Sequence, residues 1–268
     1  MVGRITAASA GAESRRSRAR PGVLPNLIII GAMKCGTTAL HRYLDLHPDV
    51  AMSEPKELNF FCGPDHLDGT QDDSATWSAG NWHRGVEWYA AQFRSTPVRG
   101  EASPGYTSPS FPEAAERMAR VLPEVRIVYA VRDPVERAVS QYLHHRADGT
   151  ERRPIEEALL DPASQYVARS LYHERLEPYL ARFPRERILI CAQEDLSSNR
   201  RATLRELYRF AGVDDSFWCS AHDLRWNVAR TAPVPLGGPL RRRLAARLSG
   251  DASRLRELAG REFARWQL

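Results

Sequence analysis

The chain has 268 residues, 43% of them hydrophobic, so it can bury one sizeable core. It contains no apolar run approaching the roughly 18 residues that a membrane-spanning helix needs, so the sequence predicts no membrane span. The net charge of +5 suits an anionic ligand without identifying one.

Four cysteines are spread along the chain without a closely spaced pair: Cys35, Cys62, Cys191 and Cys219. This spacing argues against a zinc cage and against a disulfide framework, so we expect no metal. It favours a reducing compartment, and we therefore predict a cytoplasmic location.

Residues 1–22 are rich in small and basic residues but lack an apolar segment. This composition predicts a disordered basic tail rather than a secretory signal. Residues 23–268 are expected to form a single domain. The arginine-rich stretch 241–247 has neither interleaved aromatic residues nor a known motif, so it favours a solvated basic face over a nucleic-acid site.

Apolar, β-branched runs and amphipathic segments alternate along the chain. Three runs predict buried strands, at 26–31, 125–131 and 187–192. Helices are predicted before Pro48 and at 85–93, 135–146, 165–183, 200–211 and 251–266. This alternation predicts an α/β fold with a parallel central sheet flanked by helices, and ligands bind such sheets at the carboxyl ends of the strands.

A glycine-bounded loop follows the first predicted strand. Gly31 and Gly36 stand five residues apart, with Lys34 between them and the hydroxyls of Thr37 and Thr38 directly after. Amides at such a loop and helix start form a P-loop-like site for a phosphate. In the nucleoside triphosphatase motif the lysine follows the second glycine, where this chain has Thr37, so a magnesium-dependent kinase is disfavoured.

Five segments, taken in order, resemble the sulfotransferases that use 3′-phosphoadenosine 5′-phosphosulfate (PAPS). They are Ile30–Leu40, Leu46–Val50, Lys56–Phe61, Gly100–Tyr106, and Val131–Pro134 with Arg137 and Ser140. The similarity spans about residues 25–235 and is greatest to the branch with heparan sulfate sulfotransferases and bacterial small-molecule enzymes.

The resemblance implies a role for each matching residue. Lys34 and Glu57 are the expected catalytic residues, Lys34 at the leaving phosphate and Glu57 as general base. The expected donor-binding residues are Lys34, Cys35, Gly36, Thr37, Thr38, Arg132, Ser140 and Arg230. The expected substrate-binding residues are Lys56, Glu101 and Tyr106. Arg132 and Ser140 would hold the 3′-phosphate that distinguishes PAPS, and its product adenosine 3′,5′-bisphosphate, from simpler nucleotides.

Some details stay open at this level. The base should be partly desolvated, and the apolar neighbours Leu58, Phe60 and Phe61 are expected to provide that setting for Glu57. Glu54 is the competing carboxylate. Cys35, close to a helix N-terminus, is expected to have a lowered thiol pKa. Tyr172 lies either near the donor phosphates or on an ordinary amphipathic helix.

The sequence therefore predicts transfer of a sulfuryl group from PAPS to a hydroxyl or amine. The acceptor is a small molecule, a carbohydrate or a natural product, selected by loops 62–82 and 147–165. The alternatives are a P-loop-type kinase and a non-catalytic nucleotide-binding protein. The sequence does not encode a readable oligomeric state.

Overall fold

The computed structural model describes residues 22–65, 80–226 and 236–268. All but the last residue of the predicted tail lies outside these ranges, as do Arg230 and most of loop 62–82. None of the helices formed by the described residues combines the length and the hydropathy of a membrane span.

A five-stranded sheet forms the centre of the molecule, and every adjacent pair of its strands is parallel. Its strands are β1 (Leu27–Gly31), β2 (Val50–Met52), β3 (Val98–Ala102), β4 (Arg126–Val131) and β5 (Ile188–Ala192). The order across the sheet is β2-β3-β1-β4-β5. The predicted parallel sheet is confirmed, and β1, β4 and β5 confirm the three predicted strands.

The strand order places a ligand crevice beside β1. From the central β1 the chain first builds β2 and β3 on one side and then β4 and β5 on the other. Parallel sheets bind ligands at this kind of switch point, outside the carboxyl ends of the strands. The glycine-bounded loop leaves β1 there, and Arg132 leaves β4 beside it.

Sequence analysis did not predict β2 and β3. β2 has only three residues, and β3 contains a glycine and a glutamate although it is mostly buried. A side chain at Gly100 would meet Met52 Sδ at 2.8 Å and the Leu27 carbonyl oxygen at 2.9 Å. Close strand packing therefore requires glycine in β3, which removes the β-branched pattern that marks a buried strand.

Helices cover both faces of the sheet. They are α1 (Thr37–Asp45), α2 (Gly85–Ala90), α3 (Ala114–Val121), α4 (Pro134–Ala147), α5 (Ile155–Leu160), α6 (Gln165–Ala168), α7 (Tyr172–Leu180), α8 (Gln193–Ser198), α9 (Arg200–Ala211) and α10 (Gly238–Ala259). The main core surrounds the strands. A second apolar cluster joins α4, α5 and α6 to Leu240, Leu244 and Leu248 of α10.

Two predicted helices differ from the structure. The predicted helix 165–183 is divided into α6 and α7, because Ser170 between them donates its hydroxyl to the carbonyls of Pro134 and Tyr166. The predicted helix 251–266 is the end of the longer α10, which stops at Gly260 with a φ of +59°. Arginines of the 241–247 stretch lie on α10, where Arg241 pairs with Glu136.

Asp133 fixes the start of α4. One carboxylate oxygen accepts the amides of Val135 at 2.9 Å and Glu136 at 3.0 Å, a standard N-cap arrangement. The other accepts the Gln267 amide at 2.7 Å. The side chain is only 3% exposed, so its three bonds tie the strand end, the helix and the C-terminal segment together.

We predict that D133A lowers the free energy of unfolding by about 1–3 kcal/mol, because a helix cap is lost and a buried amide loses its acceptor. Urea unfolding followed by circular dichroism measures the change. D49A, at an exposed aspartate before β2, is the control and should change stability by less than about 0.5 kcal/mol. Equal effects of the two variants would contradict the prediction.

Candidate active site

The loop between β1 and α1 has the backbone geometry of an anion site. Gly36 has a φ of +82° and Lys34 a φ of +70°, both in the left-handed region. A Cβ at Gly31 would lie 2.3 Å from Thr107 Oγ1, so only glycine fits where the chain leaves the strand. The predicted strand–loop–helix arrangement is therefore present.

Amide groups at the start of α1 are available for a ligand. Leu40 is the first residue of the helix whose amide finds an intrahelical acceptor, the Gly36 carbonyl at 3.0 Å. The amides of Thr37, Thr38 and Ala39 have no backbone acceptor among the described residues. The first turn also carries no acidic side chain. These amides and the helix dipole favour an anion at this position.

Lys34 extends from this loop without a counter-ion. Its side chain is half-buried and has no hydrogen bond or salt bridge within the described ranges. Burial lowers the pKa of Lys34, and the nearby charges of Arg132 and Arg137 lower it further. An anion bound here would relieve both effects.

Behind the loop lies a second cation, Arg137, which is fully buried. Its acceptors are all neutral: Ser170 Oγ at 2.6 Å, Gln141 Oε1 at 2.8 Å and the Tyr166 carbonyl. A terminal nitrogen also lies 3.5 Å from the Met33 carbonyl oxygen of the loop. Burial lowers the pKa of Arg137, but no carboxylate in the described structure pairs with it.

Arg169 is a third cation next to the loop, and sequence analysis did not assign it a role. It donates to Ser108 Oγ at 2.8 Å and lies 3.6 Å from Met33 Sδ, while its buried Nε has no partner. Burial, and secondarily the charge of Arg137, lower the pKa of Arg169 to about 10. The position of Arg169 just after α6 gives no sequence signal of this placement.

Arg132 is the fourth cation near the β1–α1 loop. Its side chain is 27% exposed, and the nearest carboxylate oxygen, on Glu136, is 3.8 Å away. Ser140 lies two turns along α4 from Arg132 and is partly exposed. Around the loop, positive charge therefore exceeds negative charge, which fits a ligand with several anionic groups.

The Tyr172 side chain connects the β1–α1 loop to the residue that follows β4. Its hydroxyl lies 3.3 Å from both Cys35 Sγ and the Arg132 amide nitrogen. Tyr172 is the first residue of α7, and its hydroxyl brings the loop after β1 and the residue after β4 together. Its ring is fully buried, so it supports the two loops from behind.

The expectation of a lowered thiol pKa at Cys35 is wrong. The side chain is fully buried, and burial raises the pKa of the thiol to about 11, above its ordinary value. Lost solvation changes the thiol pKa more than the nearby helix N-terminus does, because a buried thiolate has no water around it. Its amide donates to the Ala32 carbonyl at 3.2 Å.

Glu57 has a different environment from the one expected. Its side chain is 37% exposed and forms an ion pair of 2.5 Å with Lys56 Nζ. The apolar neighbours Leu58 and Phe60 are directed into the core, so they do not desolvate the carboxylate. His41 of α1 contacts the same segment, with Nε2 3.0 Å from the Ser53 carbonyl oxygen.

Glu101 and Tyr106 lie in the core, where they are 0% and 2% exposed. The Tyr106 hydroxyl donates to the Glu101 carboxylate at 2.6 Å. Neither side chain offers surface to a substrate in this arrangement. Arg230 lies outside the described residues, and within them there is no group of three or more side chains suited to a metal.

The charge distribution leads to a prediction about Lys34. The chain has only two lysines, Lys34 and Lys56, so K56R leaves one lysine ammonium to observe. In this background an NMR titration should give a midpoint for Lys34 below 10.5, because burial and nearby cations disfavour the charged form. Adding R132Q should raise the midpoint, since a repelling charge is removed.

R42Q is the matched control, because Arg42 is an exposed arginine on α1. It should leave the Lys34 midpoint unchanged. A midpoint at or above 10.5 in the K56R background would contradict the lowered pKa of Lys34. Equal shifts from R132Q and R42Q would show that Arg132 does not act on Lys34.

Two curated relatives resemble this chain over about three quarters of its length. One is bifunctional heparan sulfate N-deacetylase/N-sulfotransferase 2 of Bos taurus, 28% identical over 237 residues, covering 73% of this chain and 24% of the relative. The other is heparan sulfate glucosamine 3-O-sulfotransferase 3A1 of Mus musculus, 31% identical over 225 residues, covering 76% of this chain and 52% of the relative. The chain thus matches about a quarter to a half of the relatives' length.

A solved structure and a family model agree with these relatives. The crystal structure of a sulfotransferase from Alicyclobacillus acidocaldarius is 28% identical, with a TM-score of 0.72, and covers 90% of this chain and 98% of that one. The model of the sulfotransferase family matches residues 25–217, well over half of the chain. This protein therefore belongs to the sulfotransferase family.

Proposed function

We propose that the protein transfers a sulfuryl group from PAPS to a hydroxyl or amine of a small-molecule, carbohydrate or natural-product acceptor. The observation that carries this proposal is the group of cations around the β1–α1 loop, where Lys34, Arg137 and Arg169 have no carboxylate partner in the described structure. A donor with a phosphosulfate and a second phosphate supplies the missing negative charge.

The donor-binding residues act on different parts of this ligand. Lys34 and the amides of Thr37 and Thr38 bind the phosphosulfate and stabilise the charge that develops on the departing 5′-phosphate. Arg132 and Ser140 bind the 3′-phosphate, and Arg230 is proposed as a further contact. Cys35 and Gly36 contribute the loop backbone, with Tyr172 holding Cys35 from behind.

Glu57 is the proposed general base. It accepts the proton of the acceptor group while the acceptor's oxygen or nitrogen attacks sulfur, and the bond from sulfur to the bridging oxygen breaks with its electron pair leaving on the phosphate. Lys56, paired with Glu57, is well placed to contact an anionic oxygen. The partial exposure of Glu57 gives an acceptor access to it.

Carbohydrates are favoured candidates among the possible acceptors. The two relatives are named for N-sulfotransferase and glucosamine 3-O-sulfotransferase activities on heparan sulfate, so amine and hydroxyl acceptors both have support. We also propose a reducing, cytoplasmic location, supported by four free cysteines, three of them buried.

Calorimetric titration tests the donor site. We predict that adenosine 3′,5′-bisphosphate binds, that 5′-AMP and magnesium–ATP bind much more weakly, and that R132A weakens the bisphosphate about 10- to 100-fold because a charged hydrogen-bonding partner is lost. R42A, on the exposed side of α1, is the control and should bind normally. A preference for magnesium–ATP would favour a kinase and overturn the proposal.

A second prediction concerns the base. E57Q should reduce transfer from radiolabelled PAPS at least about 100-fold, because the amide cannot accept the proton, while bisphosphate affinity stays within about twofold of wild type. Desulfated heparan sulfate, glucosamine and 4-nitrophenol serve as acceptors. E54Q is the matched control, since Glu54 is exposed and only three residues away. Full activity of E57Q, or loss in E54Q instead, would transfer the role to another group.

A further inference from the structure

Glu101 is a buried carboxylate without a cation. It lies in β3 opposite Ile28 of β1, has no exposed surface, and forms no salt bridge in the described structure. Three hydroxyls donate to it: Tyr89 at 2.5 Å and Tyr106 at 2.6 Å to Oε1, and Ser103 at 2.6 Å to Oε2. Burial raises the pKa of Glu101, and these hydrogen bonds oppose the rise. Such a group costs stability unless its bonds are well formed.

The hydroxyls around Glu101 also hold another part of the chain. Ser103 Oγ accepts the Asn59 amide at 3.0 Å, and Tyr106 Oη accepts the Phe60 amide at 2.9 Å. Two consecutive amides, two and three residues after Glu57, are therefore bound by two of the hydroxyls that donate to Glu101.

The amide donors set the direction of these bonds. A backbone N–H can only donate, so the oxygens of Ser103 and Tyr106 accept from the amides, and their own hydrogens point at the Glu101 carboxyl oxygens. Their oxygen lone pairs are then directed at the amides of Asn59 and Phe60. Residues 53–61 form neither helix nor strand, so the backbone there depends on such side-chain acceptors.

We infer that Glu101 is a positioning residue for the reaction: through Ser103 and Tyr106 it fixes the backbone that carries Glu57. This inference rests on the proposed role of Glu57 as base. It also replaces direct substrate contact by Glu101 and Tyr106 with an indirect role that suits their burial. Small displacements of a base lower turnover strongly while leaving binding of the other substrate intact.

Three single variants test the inference with a built-in comparison. S103A, Y106F and Y89F each remove one hydroxyl from Glu101, but the Tyr89 hydroxyl contacts no amide of residues 58–60. Y89F also keeps the ring that stacks on Phe60 at a centroid distance of 4.1 Å. All three should lose thermal stability because each removes one donor from Glu101, and S103A and Y106F should lose more because each also leaves a buried amide without its acceptor.

Turnover and hydrogen–deuterium exchange should distinguish S103A and Y106F from Y89F. We predict that S103A and Y106F lower kcat for transfer from PAPS about tenfold or more, whereas Y89F stays within about twofold of wild type. The Kd of adenosine 3′,5′-bisphosphate should be unchanged in all three. Hydrogen–deuterium exchange of the peptide covering residues 57–61 should be faster in S103A and Y106F and normal in Y89F.

The outcomes distinguish this inference from the proposed function. Equal loss of kcat in all three variants, or unchanged exchange in S103A and Y106F, would reduce the Glu101 network to a general stabiliser and overturn the inference. Exchange is measured without acceptor or donor, so it reports on the anchoring even if the wild-type protein fails to bind the bisphosphate. That failure would overturn the proposed function instead.

Discussion

A fully buried guanidinium organises the region around the candidate active site. Arg137 has no carboxylate partner in the described structure, and a charge removed from water costs several kcal/mol unless its donors are satisfied. Its hydrogen bonds reach Gln141 in its own helix, the Tyr166 carbonyl and Ser170. Ser170 lies in the break between α6 and α7 and accepts a hydrogen bond from Arg137. The interruption of the helix therefore helps to satisfy the buried guanidinium.

The retained charge has a functional consequence at the loop in front of it. Arg137 lies behind Met33, and Arg169 and Lys34 add to the same positive region without neutralising partners. A site that already holds its charges and dipoles in place needs little reorganisation when negative charge develops on a leaving group. The sheet, loop and helix α1 provide the position, while the unpaired cations select the kind of ligand.

The sequence indicated the parts of the molecule whose physical signal is local. β1, β4 and β5 are continuous apolar runs, and the loop with Lys34 combines glycine spacing with a strand and a helix. β3 could not be found in this way, because close packing requires Gly100 and the strand carries buried Glu101. The role of Arg169 depends on Met33 and Ser108, which are distant in sequence, and no spacing rule connects them.

The same limit explains the expectations about individual side chains. The helix that follows Cys35 predicts a lowered thiol pKa, yet complete burial raises it. Glu57 was judged by its apolar neighbours, yet Leu58 and Phe60 face the core and leave the carboxylate half-exposed beside Lys56. In both cases the direction in which a side chain points, which the sequence does not give, determines the electrostatic environment.

One short turn connects the β1–α1 loop to the segment with the proposed base. Residues Pro104–Thr107 follow β3 as a 3₁₀ turn. Thr107 packs against Gly31, where no Cβ would fit, and Tyr106 accepts the amide of Phe60. The Ser103 amide, in turn, bonds to the Ile29 carbonyl of β1 at 3.1 Å. The distance between the β1–α1 loop and Glu57 is therefore set by adjacent parallel strands and one turn, which hold two irregular loops in a fixed relation.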